Sequence, residues 1–434
     1  STPIKSSAAS DVYKRQVEIA SEGEICMKIV FGAGEVAKEY IKNNYSSSIV
    51  CYDNDRRKWG KKVIDDVEII TLDELLKIIE CNDCEIIVTP KSDTALYFLK
   101  DVCKNDDKVY RYADGSLDKI ELDNLPEYSV DINAIESERI KRYELIKDTF
   151  KRNGDIVAYN HACEYLEYKR NNILAPELGG IELTNNCNLR CKNCPTPTCK
   201  REKGYMGDAV FNEAFKYISP DQDSYFSMHG LGEPLLHPKI FEYLDRVTSI
   251  KRPVILSTNG LLLDDTNIDS IMNTLNKTSK SRFYISFHSE KSVKNWIKCV
   301  DWMTEHKENR IELFGQVLEH NKDEALRWLR NCGISNPCDN KYIRFITSHS
   351  FAGNVSARRH EYSDIEVNNR FKNCYYVNSN IILMAWDGRF KSCCLDSEVC
   401  ADRGSIYDIK NIRCSTHPYK LCHTCDPDWT SNFQ

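Results

Sequence analysis

The chain has 434 residues and a formal net charge of −6, and 29% of its residues are charged. This balance lacks the basic surface that nucleic-acid binding requires, and no apolar run reaches the length of about 18 residues that a membrane span needs. The N-terminus has no apolar core of a signal peptide. We therefore expect a cytoplasmic protein of roughly three domains that binds neither nucleic acid nor membrane.

Residues 1–26 are expected to be a non-native or disordered leader. Residues 11–16 resemble translated adapter sequence, and the first typical strand begins only at Met27. A natural disordered tail is the alternative, and neither interpretation changes the expected function.

The segment 27–125 alternates between predicted strands and helices, which is typical of a parallel sheet covered on both faces. Gly32 and Gly34 follow the first strand and open a helix, and Asp53 ends the next strand. This spacing matches the G-x-G-x-x-A fingerprint of dinucleotide-binding domains, whose glycines admit a pyrophosphate and whose acid holds a ribose. We predict a Rossmann-like domain with NAD or another nucleotide as its candidate ligand, and a docking or vestigial module is the alternative.

Residues 126–175 are charged and helical in pattern, and we expect them to form a helical linker. Between 176 and 355 six strand–helix units follow one another, which indicates a partial (β/α)6 barrel with its active site at the strand ends. The six strands are predicted at residues 181–184, 224–228, 254–257, 283–287, 311–317 and 342–346.

Twenty cysteines are many for a chain without export signals, and they are concentrated in two places. Cys187, Cys191 and Cys194 lie within eight residues, after the first predicted barrel strand. A cubane [4Fe–4S] cluster usually takes four Cys ligands, so three close thiolates leave one iron open for another ligand. A structural zinc site with Cys199 as the fourth ligand is the alternative.

The C-x3-C-x2-C spacing after a first strand resembles the radical S-adenosylmethionine (SAM) superfamily, and further motifs end the next three strands. The residues of these motifs are Gly230, Gly232, Glu233, Ser257, Asn259 and Ser286. The resemblance implies that the open iron binds SAM, that the first motif holds its amino group, and that the others hold its carboxylate or ribose. It also implies that the reduced cluster cleaves SAM to a 5′-deoxyadenosyl radical. Leu231, between the two glycines, is a departure that is familiar in the family.

Seven cysteines lie between Cys374 and the C-terminus. Their spacing resembles the SPASM and twitch domains that follow many radical SAM barrels, so residues 356–434 are expected to hold an auxiliary cluster. The implied ligands of this second [4Fe–4S] cluster are Cys374, Cys393, Cys422 and Cys425. Cys394, Cys400 and Cys414 are alternative ligands, and a structural zinc is the alternative metal. Ser431 stands where a full SPASM domain would continue with a cysteine, which favours one auxiliary cluster over two.

The sequence singles out no general base. His229, His288 and His349 lie near predicted strand ends, and Glu319 follows the fifth strand, so each is positioned to contact substrate or move a proton. His237 is expected to serve in a turn.

The expected fold class is α/β, with a partial (β/α)6 radical SAM barrel, an N-terminal Rossmann-like parallel-sheet domain and a Cys-rich C-terminal auxiliary-cluster domain. The expected function is oxidation of a small sugar-like or nucleotide-linked molecule, with the auxiliary cluster accepting an electron. An electron donor such as flavodoxin or ferredoxin is the expected partner. The alternatives are a maturase of a ribosomally made peptide and a non-catalytic iron–sulfur scaffold or regulator.

Overall fold

The computed structural model describes residues 27–46, 48–53, 58–64, 66–81, 84–89, 94–103, 108–124, 130–346, 361–400, 403–413, 415 and 417–425. The predicted leader and three residues named above, His349, Cys414 and Ser431, lie outside these ranges. Within the ranges, no helix combines the length and the apolar character that crossing a membrane requires.

The chain divides into two compact units. The first takes in the residues up to Ser129 together with Asn368–Asn373, and the second takes in Val130–Val367 and Cys374–Thr430. Each unit is organised around its own sheet.

Seven strands form the sheet of the first unit. They are β1 (Met27–Phe31), β2 (Ile49–Tyr52), β3 (Lys62–Ile64), β4 (Val67–Ile70), β5 (Cys84–Val88), β6 (Val109–Ala113) and β7 (Ser116–Lys119). Its helices are α1 (Glu35–Asn43), α2 (Leu72–Cys81) and α3 (Thr94–Val102). Five strands run parallel in the order β4-β2-β1-β5-β6, and β3 and β7 pair antiparallel at the two edges. The predicted alternation of strands and helices agrees with the structure, and apolar residues of β1, β2, β4 and α1 are buried in one core.

The second unit begins with two long helices, α4 (Ile132–Asn153) and α5 (Ile156–Asn171). Its strands are β8 (Glu177–Ile181), β9 (Phe226–Ser227), β10 (Val254–Thr258), β11 (Ser281–Ser286), β12 (Ile311–Leu318), β13 (Ile343–Ile346), β14 (Ile381–Met384) and β15 (Phe390–Lys391). Its further helices are α6 (Asp208–Phe215), α7 (Ile240–Ser249), α8 (Asp265–Leu275), α9 (Glu290–Glu305), α10 (Lys322–Asn331) and α12 (Tyr375–Asn378). Helix α11 (Asp364–Lys372) begins in the second unit, and its residues from Asn368 onward belong to the first.

Strands β8 to β13 lie side by side in chain order and run parallel, which confirms the predicted α/β class with six successive strand–helix units. Buried and half-buried residues alternate along β11 and β12. The buried residues, such as Phe283 and Leu313, pack in one apolar core with helix residues such as Ile268 and Trp296. The alternate residues therefore face the opposite side of the sheet, which is the inner side of the partial barrel.

The first barrel strand was predicted wrongly at residues 181–184, since β8 occupies Glu177–Ile181. Two glycines make this strand possible, although glycine normally weakens strands. A Cβ atom on Gly179 would lie 2.5 Å from Ile381 Cγ2, and one on Gly180 would lie 2.6 Å from Ser227 Cβ. Close approach of the neighbouring strands therefore requires glycine here, and the cysteine motif begins in a loop rather than directly after a strand.

The tail also adds an antiparallel hairpin that the sequence interpretation missed. Strand β14 pairs parallel with β8 and antiparallel with β15, so the barrel sheet extends to eight strands. The Cys-rich segment is thus attached directly to the strand that leads into Cys187.

The helices α4 and α5 hold a buried ion pair. Glu136 and Lys169 are almost fully buried, and Lys169 Nζ lies 3.0 Å from the Glu136 carboxylate. Arg139 Nη1 donates to the same carboxylate at 2.8 Å. Because a buried charge is costly unless it is paired, these contacts depend on one another.

Replacing Glu136 by Ala should therefore lower the free energy of unfolding by about 3–5 kcal/mol, since Lys169 would stay buried without its counter-charge. Chemical denaturation would measure the change. Glu138→Ala, which removes only an exposed ion pair with Lys141, is the matched control and should leave the midpoint nearly unchanged. Equal midpoints for the two variants would contradict the buried-pair explanation.

Candidate active site

One cavity of roughly 250 Å³ lies where the loop after β8 meets the ends of the neighbouring parallel strands. It is lined by every residue that the sequence assigned to the first cluster and to SAM, namely Cys187, Cys191, Cys194, Gly230, Gly232, Glu233, Ser257, Asn259 and Ser286. The other lining residues are Leu189, Asn193, His229, Thr258, His288, Leu318, His320 and Ile346. Residues that are far apart in the chain therefore meet at one site.

The three cysteines are half-buried and face this cavity. The Leu189 amide donates to Cys187 Sγ at 3.4 Å, and Cys191 Sγ lies 3.7 Å from His288 Nδ1. Burial raises the pKa of the Cys187 thiol and raises the pKa of Cys191 to about 11. Within the described ranges, no three Cys, His, Asp or Glu side chains surround a single point as the ligands of one ion would. Three sulfur donors on one cavity wall are the donor set of a cluster with an open iron.

Glu233 connects two of the motifs. Its carboxylate is 1% exposed and accepts from the Thr258 hydroxyl at 2.8 Å and from the Asn259 amide at 2.7 Å. The Leu235 amide donates to it at 3.0 Å. Burial raises the pKa of Glu233, and these donors oppose the shift. A carboxylate has about four acceptor positions, so one remains for a further donor in the cavity.

Asn259 connects the third strand to the cysteine loop. Its amide nitrogen donates to Asn188 Oδ1 at 2.7 Å, and its oxygen accepts from the Leu261 amide at 3.0 Å. On the next strand, the Ser286 hydroxyl donates to Gln316 at 2.9 Å. The motif residues thus hold one another in place as well as facing the cavity.

The two glycines of the second motif are sterically required. A Cβ on Gly230 would lie 2.8 Å from Glu182 Cβ, and one on Gly232 would lie 2.5 Å from two backbone oxygens of the loop before Cys187. Gly232 also has a φ of 85°, which glycine adopts without strain. Leu231, the departure between them, is buried, and its amide donates to Glu182 at 3.1 Å.

Sequence reasoning missed Glu182, which organises the back wall of the cavity. Its buried carboxylate accepts two hydrogen bonds from Arg201 Nη2, at 2.8 and 3.0 Å, and lies 3.4 Å from Lys391 Nζ. Arg201 also donates to the Ser397 carbonyl at 2.7 Å. An acid within the apolar segment predicted as a strand at 181–184, followed by basic residues after the cysteine motif, was the available signal.

Comparison with known proteins bears on this geometry. A family model described as the radical SAM superfamily matches residues 181–338. Residues 181–338 therefore form a radical SAM domain. This assignment confirms the resemblance inferred from the cysteine spacing, and it implies a [4Fe–4S] cluster and SAM as cofactors.

A curated relative of the radical SAM chain is the tungsten-containing aldehyde ferredoxin oxidoreductase cofactor-modifying protein of Pyrococcus furiosus. The two are 36% identical over 93 residues, which make up 20% of this chain and 24% of the relative. The match therefore spans about a quarter of the relative's length.

Two solved structures resemble the fold at low similarity. BtrN in complex with AdoMet and 2-DOIA is 17% identical with a TM-score of 0.34, and the match covers 53% of this chain and 80% of BtrN. Streptococcus suis SuiB bound to precursor peptide SuiA is 13% identical with a TM-score of 0.33, and the match covers 55% and 64% of the two chains.

Three histidines line the radical SAM cavity. Of the sequence candidates, His229 and His288 are among them, whereas Glu319 is not, and its neighbour His320 was missed. Burial and the nearby His320 lower the pKa of His288 to about 4, and burial lowers the pKa of His229 as well. His237 is buried and contacts the Met206 carbonyl at 3.0 Å, as a residue that holds a turn would.

The tail cysteines of the radical SAM chain also come together. Cys393 and Cys394 are neighbours in the chain. Burial has the largest effect and raises the pKa of Cys393, and charges on Cys394, Cys425 and Cys374 raise it further. Tyr376 hydrogen-bonds to Cys394. Cys422 is half-buried one turn before Cys425, and Cys400 is exposed.

In the glycine turn of the first unit, the acid is engaged within the turn itself. The Asp53 carboxylate accepts from the Ala33 amide at 2.9 Å and pairs with Lys58 Nζ at 2.9 Å. Gly32 has a φ of 93° and donates its amide to the Tyr52 carbonyl at 2.8 Å. Asp53 therefore supports the turn between Gly32 and Gly34, and Lys58 places a cation beside it.

Replacing Glu233 by Gln should weaken SAM binding by roughly 10-fold or more, because a charged hydrogen-bond acceptor contributes about 1.5–3 kcal/mol and the amide would misalign Asn259. Equilibrium binding of SAM to anaerobically reconstituted protein would measure the loss. Glu319→Gln, outside the cavity lining, is the control, and an unchanged affinity in Glu233→Gln would remove Glu233 from the site.

Proposed function

We propose that this radical SAM enzyme reductively cleaves SAM and oxidises a small sugar-like or nucleotide-linked substrate. The observation that carries the proposal is the single cavity in which three cysteines face the SAM-motif residues of three successive strands. The residues of this cofactor site come from separate segments of the chain and meet in the fold.

Cys187, Cys191 and Cys194 would hold a [4Fe–4S] cluster and leave one iron for SAM. The bound cluster would supply the electron that cleaves SAM, and the resulting 5′-deoxyadenosyl radical would take a hydrogen atom from the substrate. The amide at Leu189 and the imidazole of His288 contact two of the sulfurs, and such contacts tune the potential of a cluster.

The motif residues would seat SAM against the cluster. The close-packed turn at Gly230 and Gly232 exposes backbone at the cavity wall, and Glu233 has one acceptor position left for the amino group of SAM. Ser257, Asn259 and Ser286 present side chains on the next strands, where a carboxylate or ribose would lie. Hydrogen bonds from Asn259 to Asn188 and from Ser286 to Gln316 pre-arrange this wall before SAM binds.

The tail cysteines would hold a second [4Fe–4S] cluster. Cys374 and Cys425 both lie close enough to Cys393 to raise the pKa of its thiol, and Cys422 would complete four ligands. When bound, this cluster would accept the electron that remains after the substrate has lost a hydrogen atom and a proton. Flavodoxin or ferredoxin would reduce the cluster at Cys187.

The first unit favours a small nucleotide-linked substrate over a peptide. Its parallel strands follow the order β4-β2-β1-β5-β6, so the order reverses between β1 and β5, where open α/β sheets bind ligands. The glycine turn and Lys58 suit a phosphate. Binding of candidate nucleotides and peptides to the full chain would separate this proposal from a peptide maturase.

Reconstituted protein should contain about eight irons per chain, the content of two cubanes. Replacing Cys187, Cys191 and Cys194 together by Ala should leave about four, because one cubane would remain. Iron and sulfide analysis would measure the cluster content of the wild type and of the variant. The triple variant of Cys163, Cys332 and Cys338 is the control and should keep the full content. A wild type that never exceeds four irons would contradict the tail cluster.

With dithionite and SAM, the protein should release 5′-deoxyadenosine slowly even without substrate, and Cys191→Ala should release none. The reason is that cleavage needs an electron from a cluster that the variant cannot complete. Chromatography of the anaerobic reaction would measure the product. Absence of 5′-deoxyadenosine from fully reconstituted wild type would favour the non-catalytic scaffold.

A further inference from the structure

The inner face of the barrel continues below the cofactor cavity as a set of cross-strand rows. Ser286, Gln316 and Arg344 pair in register across β11, β12 and β13. Leu318 and Ile346 form the next row towards the strand ends. Arg344 therefore shares its row with Ser286, and the row above it also lines the cavity.

Aromatic rings form the row beneath Arg344. Tyr284 and Phe314 pair across β11 and β12 and stack with their ring centroids 5.6 Å apart. The Arg344 guanidinium carbon lies 4.1 Å from the centroid of the Phe314 ring. A guanidinium stacks on an aromatic ring with its flat face. Its N–H groups point outward in the plane of the guanidinium, so they remain free to donate hydrogen bonds.

Arg282 and Arg344 face this inner side. Of these two, only Arg282 has a carboxylate partner among the described residues. Arg282 forms an ion pair with Glu312, which also accepts from Tyr225. No described carboxylate lies within 4.0 Å of the Arg344 side-chain nitrogens. Residues 347–360, which follow β13 in the chain, contain no Asp or Glu at all.

We propose that Arg344 anchors an anionic group of the substrate, a carboxylate or a phosphate, on the wall of the reaction chamber. This inference rests on the proposed function for the identity of the chamber and adds the chemical class of the substrate. The planar guanidinium matches two oxygens of such a group, and the apolar ring beneath it strengthens the attraction by excluding water from one side. The part of the substrate to be oxidised would then lie towards Ser286 and the cysteines.

The test uses the full reconstituted chain, with inorganic phosphate and acetate as probes at constant ionic strength. Line broadening in 31P and 1H spectra should show saturable binding to the wild type, and the stronger probe would indicate which anion the substrate carries. Arg344→Gln should weaken binding at least tenfold. Arg344→Lys should keep part of it, since the charge remains without the planar fork.

The matched control is the double variant Arg282→Gln with Glu312→Gln. It removes the other inner-face guanidinium together with its counter-charge, and it should bind the probes like the wild type. The inference would be overturned by a wild type that binds neither probe, by unchanged binding in Arg344→Gln, or by equal losses in Arg344→Gln and the control.

SAM itself carries a carboxylate, so the source of the anion is tested separately. Saturating SAM should leave the affinity of the wild type for both probes unchanged, and competition would assign Arg344 to SAM and overturn the substrate assignment. Probe binding requires no SAM cleavage. Protein that binds phosphate without releasing 5′-deoxyadenosine would contradict the proposed function alone. Protein that releases 5′-deoxyadenosine but binds neither phosphate nor acetate would contradict this inference alone.

Discussion

The buried Glu182 carboxylate is the interaction on which the second unit depends. A carboxylate that is 1% exposed is costly unless its oxygens are fully engaged. Glu182 meets this requirement with Arg201 from the end of the cysteine loop, with the Leu231 amide of the second motif, and with Lys391 of β15. Four segments that are distant in the chain are therefore held around one charge, immediately behind the cavity.

This arrangement joins the cofactor cavity to the Cys-rich tail. Lys391 contacts Glu182 from the β14–β15 hairpin, and Cys393 and Cys394 follow two and three residues later. Arg201, which precedes the hairpin in the chain, donates to the Ser397 carbonyl of the Cys-rich tail. Glu182 also packs against Gly230, where a Cβ atom would lie 2.8 Å from Glu182 Cβ. The two cysteine groups are therefore parts of one packed structure.

Along the barrel strands, residues that stabilise the core alternate with residues that face the inner side of the barrel. Buried residues such as Leu313 contact the helices, while the alternate residues face inward and are free to be polar. The inner face carries an ion pair, then stacked rings, then Ser286 with Arg344, and finally the cavity of the cysteines. Because each row is set by strand register, a shift of one residue in β13 would turn Arg344 outward.

Local patterns were sufficient for the elements whose signals lie within a few residues. The strands of the first unit are short apolar runs bounded by polar turns, and the cysteine spacing together with the glycine motif indicated the radical SAM site. For the same reason the cysteines and the motif residues of the cavity were identified from the sequence, since each motif lies at a strand end or in the loop after it, whereas His320 was missed.

The tertiary structure decided what depends on partners remote in the chain. Strand β8 exists because Gly179 and Gly180 admit close neighbours from β14 and β9, although glycines argue against a strand locally. The role of Glu182 depends on Arg201 and Lys391, and the significance of Arg344 depends on cross-strand register and on the ring of Phe314. Local sequence determines which residues can form strands and bind metals, but pairing across the fold determines which charges are neutralised and which remain available to a ligand.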